Sequence, residues 1–267
     1  MMSQPPDTYV HGHHESVLRS HQSRTVENSA AYLLAELEPG RSVLDVGCGP
    51  GTITVDLAAR VAPGPVVGID PSSDVVDTAR ALDVPDNCRF EVGDTYALAF
   101  ADDRFDVVHA HQVLQHLTRP VDALREMRRV ARPGGVVAAR DADYAAFQWA
   151  PANTALDRWL SLYHQICEAN RVEADAGRHL LRWAREAGFD DVQVTSTSWV
   201  HATPDTRHWW SDLWADRVTK STYADQAVAL GLAEPRELDD IARGFRAWAD
   251  DPNAVFVVPS TEILARA

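Results

Sequence analysis

Residues 43–51, VLDVGCGPG, are the segment of this sequence best suited to hold a ligand: a short apolar run gives way to glycines at 47, 49 and 51. Glycine lacks the Cβ that keeps small molecules away from the main chain, so a flat or charged ligand can lie directly on such a turn. A dinucleotide-binding loop also follows a first strand, but its fingerprint wants the third glycine one residue later, where this chain has Thr52. Asp70 closes the next apolar run and can accept both ribose hydroxyls in charge-assisted hydrogen bonds, which either cofactor would need. Asp94, in EVGDT, can accept the exocyclic amine of an adenine. With Asp45 these residues bring three carboxylates to one crevice, which suits a sulfonium carrying an ammonium better than a pyrophosphate.

A second set of residues is suited to moving protons. His111, Gln115 and His116 follow the fourth apolar run, and Asp141 and Tyr144 follow the fifth. Histidine titrates near neutrality and serves as a base when an acceptor must lose a proton. His116 reads either as such a base or as a hydrogen-bonded structural histidine. Cys48 reads as a small packing residue, and Arg128, Arg129 and Arg132 as a solvated helix end. The leading stretch, with Tyr9, His11, His13, His14, His21 and Arg24, admits three readings: a lid over a ligand, a structural leader, or a metal site. The metal reading is the weakest, because adjacent His13 and His14 point apart and no carboxylate or cysteine set completes a shell. No metal is expected.

These residues need a scaffold, and 267 residues with 45% hydrophobic and 24% charged content suit one α/β core with insertions. Short apolar runs at 42–46, 66–70, 88–92, 105–109 and 135–139 alternate with helical patterns at 52–61, 73–82 and 121–131, the rhythm of a doubly wound parallel sheet. Val121, Leu124, Met127 and Val130 share one side of the last helix. The rhythm then breaks. Residues 153–169 carry Leu156, Trp159, Leu160, Tyr163 and Ile166 at helical spacing with no strand after them, which predicts an inserted cap helix. A helix over 177–188, strands over 192–199 and 254–264, and a second helical insertion over 205–250 complete the reading.

A net charge of −14, from 25 basic against 39 acidic side chains, is the wrong sign for a nucleic-acid substrate. No apolar run reaches the roughly 20 residues of a membrane span, and the leader lacks a signal core, so a cytoplasmic location is expected. Cys48, Cys88 and Cys167 are too scattered for a disulfide framework or zinc site.

In the segments VLDVGCGPG, VVGIDPS, FEVGDTYALAF, FDVVHAHQVLQHL and LREMRRVARPGGVVAARD the chain resembles the class I S-adenosylmethionine-dependent methyltransferases, and within them the ubiquinone and menaquinone biosynthesis group. The resemblance covers about residues 43–141 and implies a Rossmann-like, seven-stranded, mostly parallel sheet with an antiparallel final pair. It implies a cofactor set of Tyr9, His14, Asp45, Gly47, Cys48, Gly49, Asp70, Pro71, Gly93, Asp94, Thr95 and His111. Within that set Asp45, Gly47 and Gly49 line the methionine part, Asp70 the ribose and Asp94 the adenine. His111 sits beside the methyl group, with His116 and Tyr144 as further catalytic candidates. The expected organisation is a helical lid (1–35), the cofactor core (36–143), a cap insertion (144–176), core (177–203), a second cap insertion (204–252) and a final strand (253–267). All eight tryptophans follow residue 148, which suits an aromatic wall for a small apolar or aromatic acceptor, while any left exposed would suit a homodimer interface. Quinone-ring methylation is the nearest substrate by resemblance, but the second cap departs from the simpler quinone enzymes. A binding protein without methyl transfer, acting as sensor, scaffold or cyclisation catalyst, and a nicotinamide oxidoreductase are the competing readings.

Overall fold

The computed structural model describes residues 20, 21 and 23–267. Its sheet is built from β1 (Val43–Val46), β2 (Val66–Asp70), β3 (Cys88–Val92), β4 (Phe105–His111), β5 (Ala131–Ala142), β6 (Gln148–Ala150), β7 (Val192–His201) and β8 (Val255–Arg266). Among these run α1 (Val26–Ser29), α2 (Thr52–Val61), α3 (Ser73–Arg80), α4 (Pro120–Val130), α5 (Thr154–Asn170), α6 (Leu180–Glu186), α7 (Pro204–Lys220), α8 (Thr222–Ala229) and α9 (Pro235–Asp250).

The first five strands are parallel in the order β3-β2-β1-β4-β5, as their buried apolar runs require when helices cover both faces. Successive side chains point to opposite faces. Thus Val43 packs with Val26, Leu33 and Leu57 on the side of α1 and α2, while Leu44 and Val46 pack with Leu124, Met127 and Leu180 on the side of α4 and α6. β8 runs antiparallel to all its neighbours. Its Ser260–Arg266 half lies between β5 and the start of β7, and its Val255–Val257 end lies between β6 and the end of β7.

Eight strands therefore fill seven positions, because β6 takes over the edge of β8 that β5 leaves. The three-residue β6 has no periodicity to betray it. The helix expected over 177–188 divides into a 3-10 turn, Ala176–His179, and α6, with Gly188 at φ +96° ending it as a glycine C-cap does. β5 begins earlier than its apolar run: Phe105 faces Ala131, and the next pair is Val107 with Val136, so residues 132–135 bulge from the ladder.

The four helices α5, α7, α8 and α9 enclose a further apolar core around Trp159, Trp214, Phe245 and Trp248, into which β8 sends Phe256 and Val258. Asn153 starts α5 by accepting from the amides of Ala155 and Leu156, and a Thr203–Thr206 capping box starts α7. No helix among the described residues is long and apolar enough to cross a membrane.

Candidate active site

At the carboxyl ends of the parallel strands lies a cleft of about 960 Å³, lined by Asp45, Gly47, Cys48, Gly49, Asp70, Pro71, Gly93, Asp94, Thr95 and His111. Every expected cofactor residue within the described part of the chain is thus on one surface; Tyr9 and His14 lie outside the described residues. The turn after β1 is shaped by left-handed glycines. A Cβ on Gly51 (φ +87°) would come within 2.7 Å of the Phe90 ring, whereas at Gly49 (φ +55°) it would meet only His21 Nδ1 at 3.6 Å. Gly51 lets α2 pack on the sheet, and Gly49 leaves bare backbone on the cleft.

The Asp70 carboxylate is fixed by accepting from the amides of Gly49 (3.2 Å) and Ser72 (3.0 Å), and Asp94 accepts from the Tyr96 amide (2.8 Å). Asp45 is differently employed. Its oxygens take the Thr54 hydroxyl at 2.5 Å and His109 Nδ1 at 2.8 Å, so it braces α2 and β4 from beneath as well as bordering the cleft. Cys48 is no nucleophile, since burial and then the charges of Asp45 and Asp70 push its thiol up. Three wall residues escape sequence reasoning. Val92, 55% exposed at the end of β3, offers an apolar surface to a flat ring, and Arg119 lies over the Tyr96 ring at 4.0 Å at the same rim. The signal for Val92 was available: an apolar residue two positions before Asp94 on a strand end.

This cleft fits an adenosyl sulfonium. A cavity of this size suits a cofactor, its bare backbone at Gly49 admits close approach, and Asp45, Asp70 and Asp94 supply negative charge beside the apolar Val92.

A second cavity of about 440 Å³ adjoins it, and His21, Arg24, Gln112 and His116 line both. Gln112 adopts φ +53°, a strained conformation for a residue with a side chain, and its Oε1 accepts from Arg24 at 2.6 Å. His116 Nε2 accepts from Gln115 Nε2 at 3.0 Å, which assigns its ring proton to Nδ1. Burial and then the Arg24 charge bring His116 down to about 3. Its imidazole is therefore neutral at neutral pH, and its surroundings oppose its protonation. His111 is buried at the cleft floor, its ring 6.0 Å from that of Trp199, with no hydrogen-bond partner for either nitrogen among the described residues. Burial, then Arg24 and Arg140, hold it well below its usual range.

Tyr144 lines the second cavity, stacked on Tyr163 (4.1 Å) and Phe147 (4.4 Å). The opposite wall comes from β7 and α7, with Trp199, His201, Trp209, Trp210 and Trp214. Asp141 borders neither cavity; it sits beneath, accepting from the Gln115 amide at 3.2 Å, and burial pushes its carboxyl up to about 7. Among the described residues no group of three His, Cys, Asp or Glu side chains is placed to hold a metal ion.

Residues 37–209 match the family described as Methyltransferase domain. The chain is similar to an uncharacterised methyltransferase of Schizosaccharomyces pombe, with 33% identity covering 98% of each chain. A 2-methyl-6-phytyl-1,4-hydroquinone methyltransferase of a Synechocystis strain is 28% identical over 78% of this chain and 64% of its own length. Among solved structures, phosphoethanolamine N-methyltransferase 2 of Haemonchus contortus, in complex with phosphomonomethylethanolamine and S-adenosylhomocysteine, matches with a TM-score of 0.53 at 17% identity, over 86% of this chain and 49% of that one, and so shares its fold.

Proposed function

Because the chain belongs to the methyltransferase-domain family and takes S-adenosylmethionine as its methyl donor, we propose that its acceptor is a small apolar or aromatic molecule seated in the 440 Å³ cavity. The donor brings a methyl group already activated by its sulfonium, so the protein's task is alignment and exclusion of water. In this reading the Gly47 and Gly49 backbone and Asp45 hold the methionine end, Asp70 the ribose hydroxyls, and Asp94 the adenine amine against Val92. His111 lies below the junction, and His116 receives the proton that an acceptor hydroxyl or ring carbon loses as the sulfonium gives up its positive charge, since burial and the Arg24 charge oppose its protonation before then. The Gln115 amide must swing away from Nε2 for this. His21 and Arg24 extend the leading segment across the junction, in keeping with a lid.

The observation that carries this reading is the shared wall: the two cavities meet at Gln112 and His116, so a molecule in the smaller one touches the donor's end of the larger. The aromatic lining and the net charge of −14 favour an uncharged or aromatic acceptor over a polyanion. The test is incubation with methyl-labelled donor and a panel of hydroquinones, phenols, aliphatic amines and basic peptides. Label is expected in the hydroquinone and phenol products; label confined to amines or peptides would overturn the reading.

A further inference from the structure

The two cavities differ in charge. Asp45, Asp70 and Asp94 border the larger one, which suits the positive sulfonium of the donor. Among the described residues that line the smaller one there is no Asp or Glu, in a chain with 39 of them, and there are two arginines, Arg24 and Arg217. Its wall is aromatic and positive. Arg217 borders the smaller cavity alone, whereas Arg24 borders both and so stands at the junction with Gln112 and His116.

Arg217 is carried on α7, is 6% exposed, and lies over the Trp214 ring at 5.0 Å while its Nη2 donates to the Ser20 hydroxyl. Arg24 lies over the Trp199 ring at 5.5 Å and donates to the Gln112 side chain. A hydroxyl, an amide oxygen and an indole face carry no formal charge, so these contacts orient the two guanidiniums without cancelling them. Arginine is seldom held as far out of water as Arg217 is, and its planar fork matches the two oxygens of a carboxylate. The net charge of −14 does not decide against an anion here. Exposed charges more than about 8 Å away are largely screened at physiological salt, whereas those on an enclosed wall are screened much less. The charges that border the cavity therefore prevail, and among the described residues they are positive.

Resting on the reading of this cavity as an aromatic-acceptor site, we propose that the acceptor is an aromatic acid, its ring among the tryptophans, its carboxylate held by Arg217 with Arg24 adding to the field, and its methylated atom turned the other way, toward the junction. The acceptor class narrows to hydroxylated aromatic carboxylic acids. A negative charge in this cavity also offsets that of Arg24, which after burial is the cause that holds both His111 and His116 down, and so eases transfer of the acceptor's proton to His116. The acceptor thus brings a countercharge that its own reaction uses.

Two probes of one shape and different charge test this on the protein loaded with S-adenosylhomocysteine: 6-hydroxy-2-naphthoate and 6-hydroxy-2-naphthamide. At neutral pH and physiological salt, calorimetry on the wild type is expected to give at least about tenfold tighter binding of the naphthoate. Arginines that only tie the leading segment to the cap would give no such preference. Arg217→Gln removes the charge and keeps a donor for Ser20; it should bring the ratio to within about twofold by weakening the naphthoate, and Arg217→Lys should restore part of it. Naphthamide bound by the wild type as tightly as naphthoate would overturn the proposal without any substitution, and would leave the cavity as a site for neutral rings. A tenfold ratio that persists in Arg217→Gln would remove Arg217 from the site and overturn the proposed placement of the carboxylate. Failure of both probes to bind, with S-adenosylhomocysteine still bound, would overturn the aromatic-acceptor reading and the aromatic acid with it.

Discussion

At the end of β5 the Asp141 carboxyl is fully buried, and one of its oxygens has no partner among the described residues. Burial raises it to about 7, against the amides of Gln115 and Leu114 and the Arg140 charge, which all pull it down. Its folded value therefore stands above the ordinary carboxylate value of about 3.9, so the folded state binds the extra proton between those limits and stability falls as pH rises through them. The slope approaches about 1.4 kcal/mol per pH unit. His111, His116 and His201 act in the opposite sense: each is depressed, so each favours the folded state above about pH 6.5 and loses that contribution as pH falls. Asp141→Asn keeps an acceptor for the Gln115 amide and removes only the first effect. Urea melts from about pH 5 to about pH 8 should show the wild type losing stability relative to Asp141→Asn as pH rises; parallel curves would mean that Asp141 is already ionised in the fold. Asp70 makes a different demand. Its carboxylate is held by two amides with the cleft before it, and Asp70→Ala should weaken S-adenosylmethionine binding by about 1.5–3 kcal/mol, the worth of hydrogen bonds to a charged group. Calorimetric affinity equal to the wild type's would remove Asp70 from the ribose site.

The turn between β1 and α2 separates two jobs that its glycines do together. Gly51→Ala would drive a Cβ to 2.7 Å from Phe90 and 2.9 Å from Ala79 at a φ of +87°, so it should cost on the order of 1–3 kcal/mol of stability. Gly49→Ala meets nothing closer than 3.6 Å and carries mainly the left-handed penalty of about 1–2 kcal/mol, while placing a methyl beside the cofactor cleft. Thermal melts paired with donor titrations should show Gly51→Ala chiefly as a lowered midpoint and Gly49→Ala chiefly as a donor affinity down by about tenfold or more; the reverse pattern would exchange their roles. This turn was legible in the sequence because strand, glycines and helix are contiguous, and so were β1 to β4, each an apolar run leading to the cleft in Gly, Asp or His, and the inner half of β5. β6 was not, for three residues with Gln148 and Ala150 exposed carry no period. The wall of the smaller cavity was legible only as a richness in tryptophan. His201, Arg24 and Arg217 meet at one cavity only because β7, α7 and the leading segment pack together, and no local pattern encodes a meeting of residues so far apart in the chain.

At the scale of the whole molecule the described residues form several apolar clusters on one sheet, and β8 belongs to the two largest. Phe256 and Val258 sit in the tryptophan-rich cap core, while Ile263 and Ala265 sit between the sheet and α4 and α6. Buried Arg140 and Glu262 pair across β5 and β8 at 3.2 Å, and such a pair is costly to break once its charges are out of water. A strand shared in this way should make the cap and the donor-binding half unfold as one unit. Trp159, fully buried and set edge-on against Trp214 (4.4 Å) and Phe245 (5.3 Å), tests it from the cap side: Trp159→Ala should cost about 3–5 kcal/mol. S-adenosylhomocysteine tests it from the other, since at about 100 times its Kd a ligand adds about 2.7 kcal/mol, or roughly 5–10 °C for a chain of this length. The substituted residue lies in the cap core and away from the donor cleft, so the two effects should add in a single calorimetric transition. If Trp159→Ala instead split the melt into two transitions, with the ligand raising only the upper one, the cap would be a separate folding unit and β8 a passive tether between them.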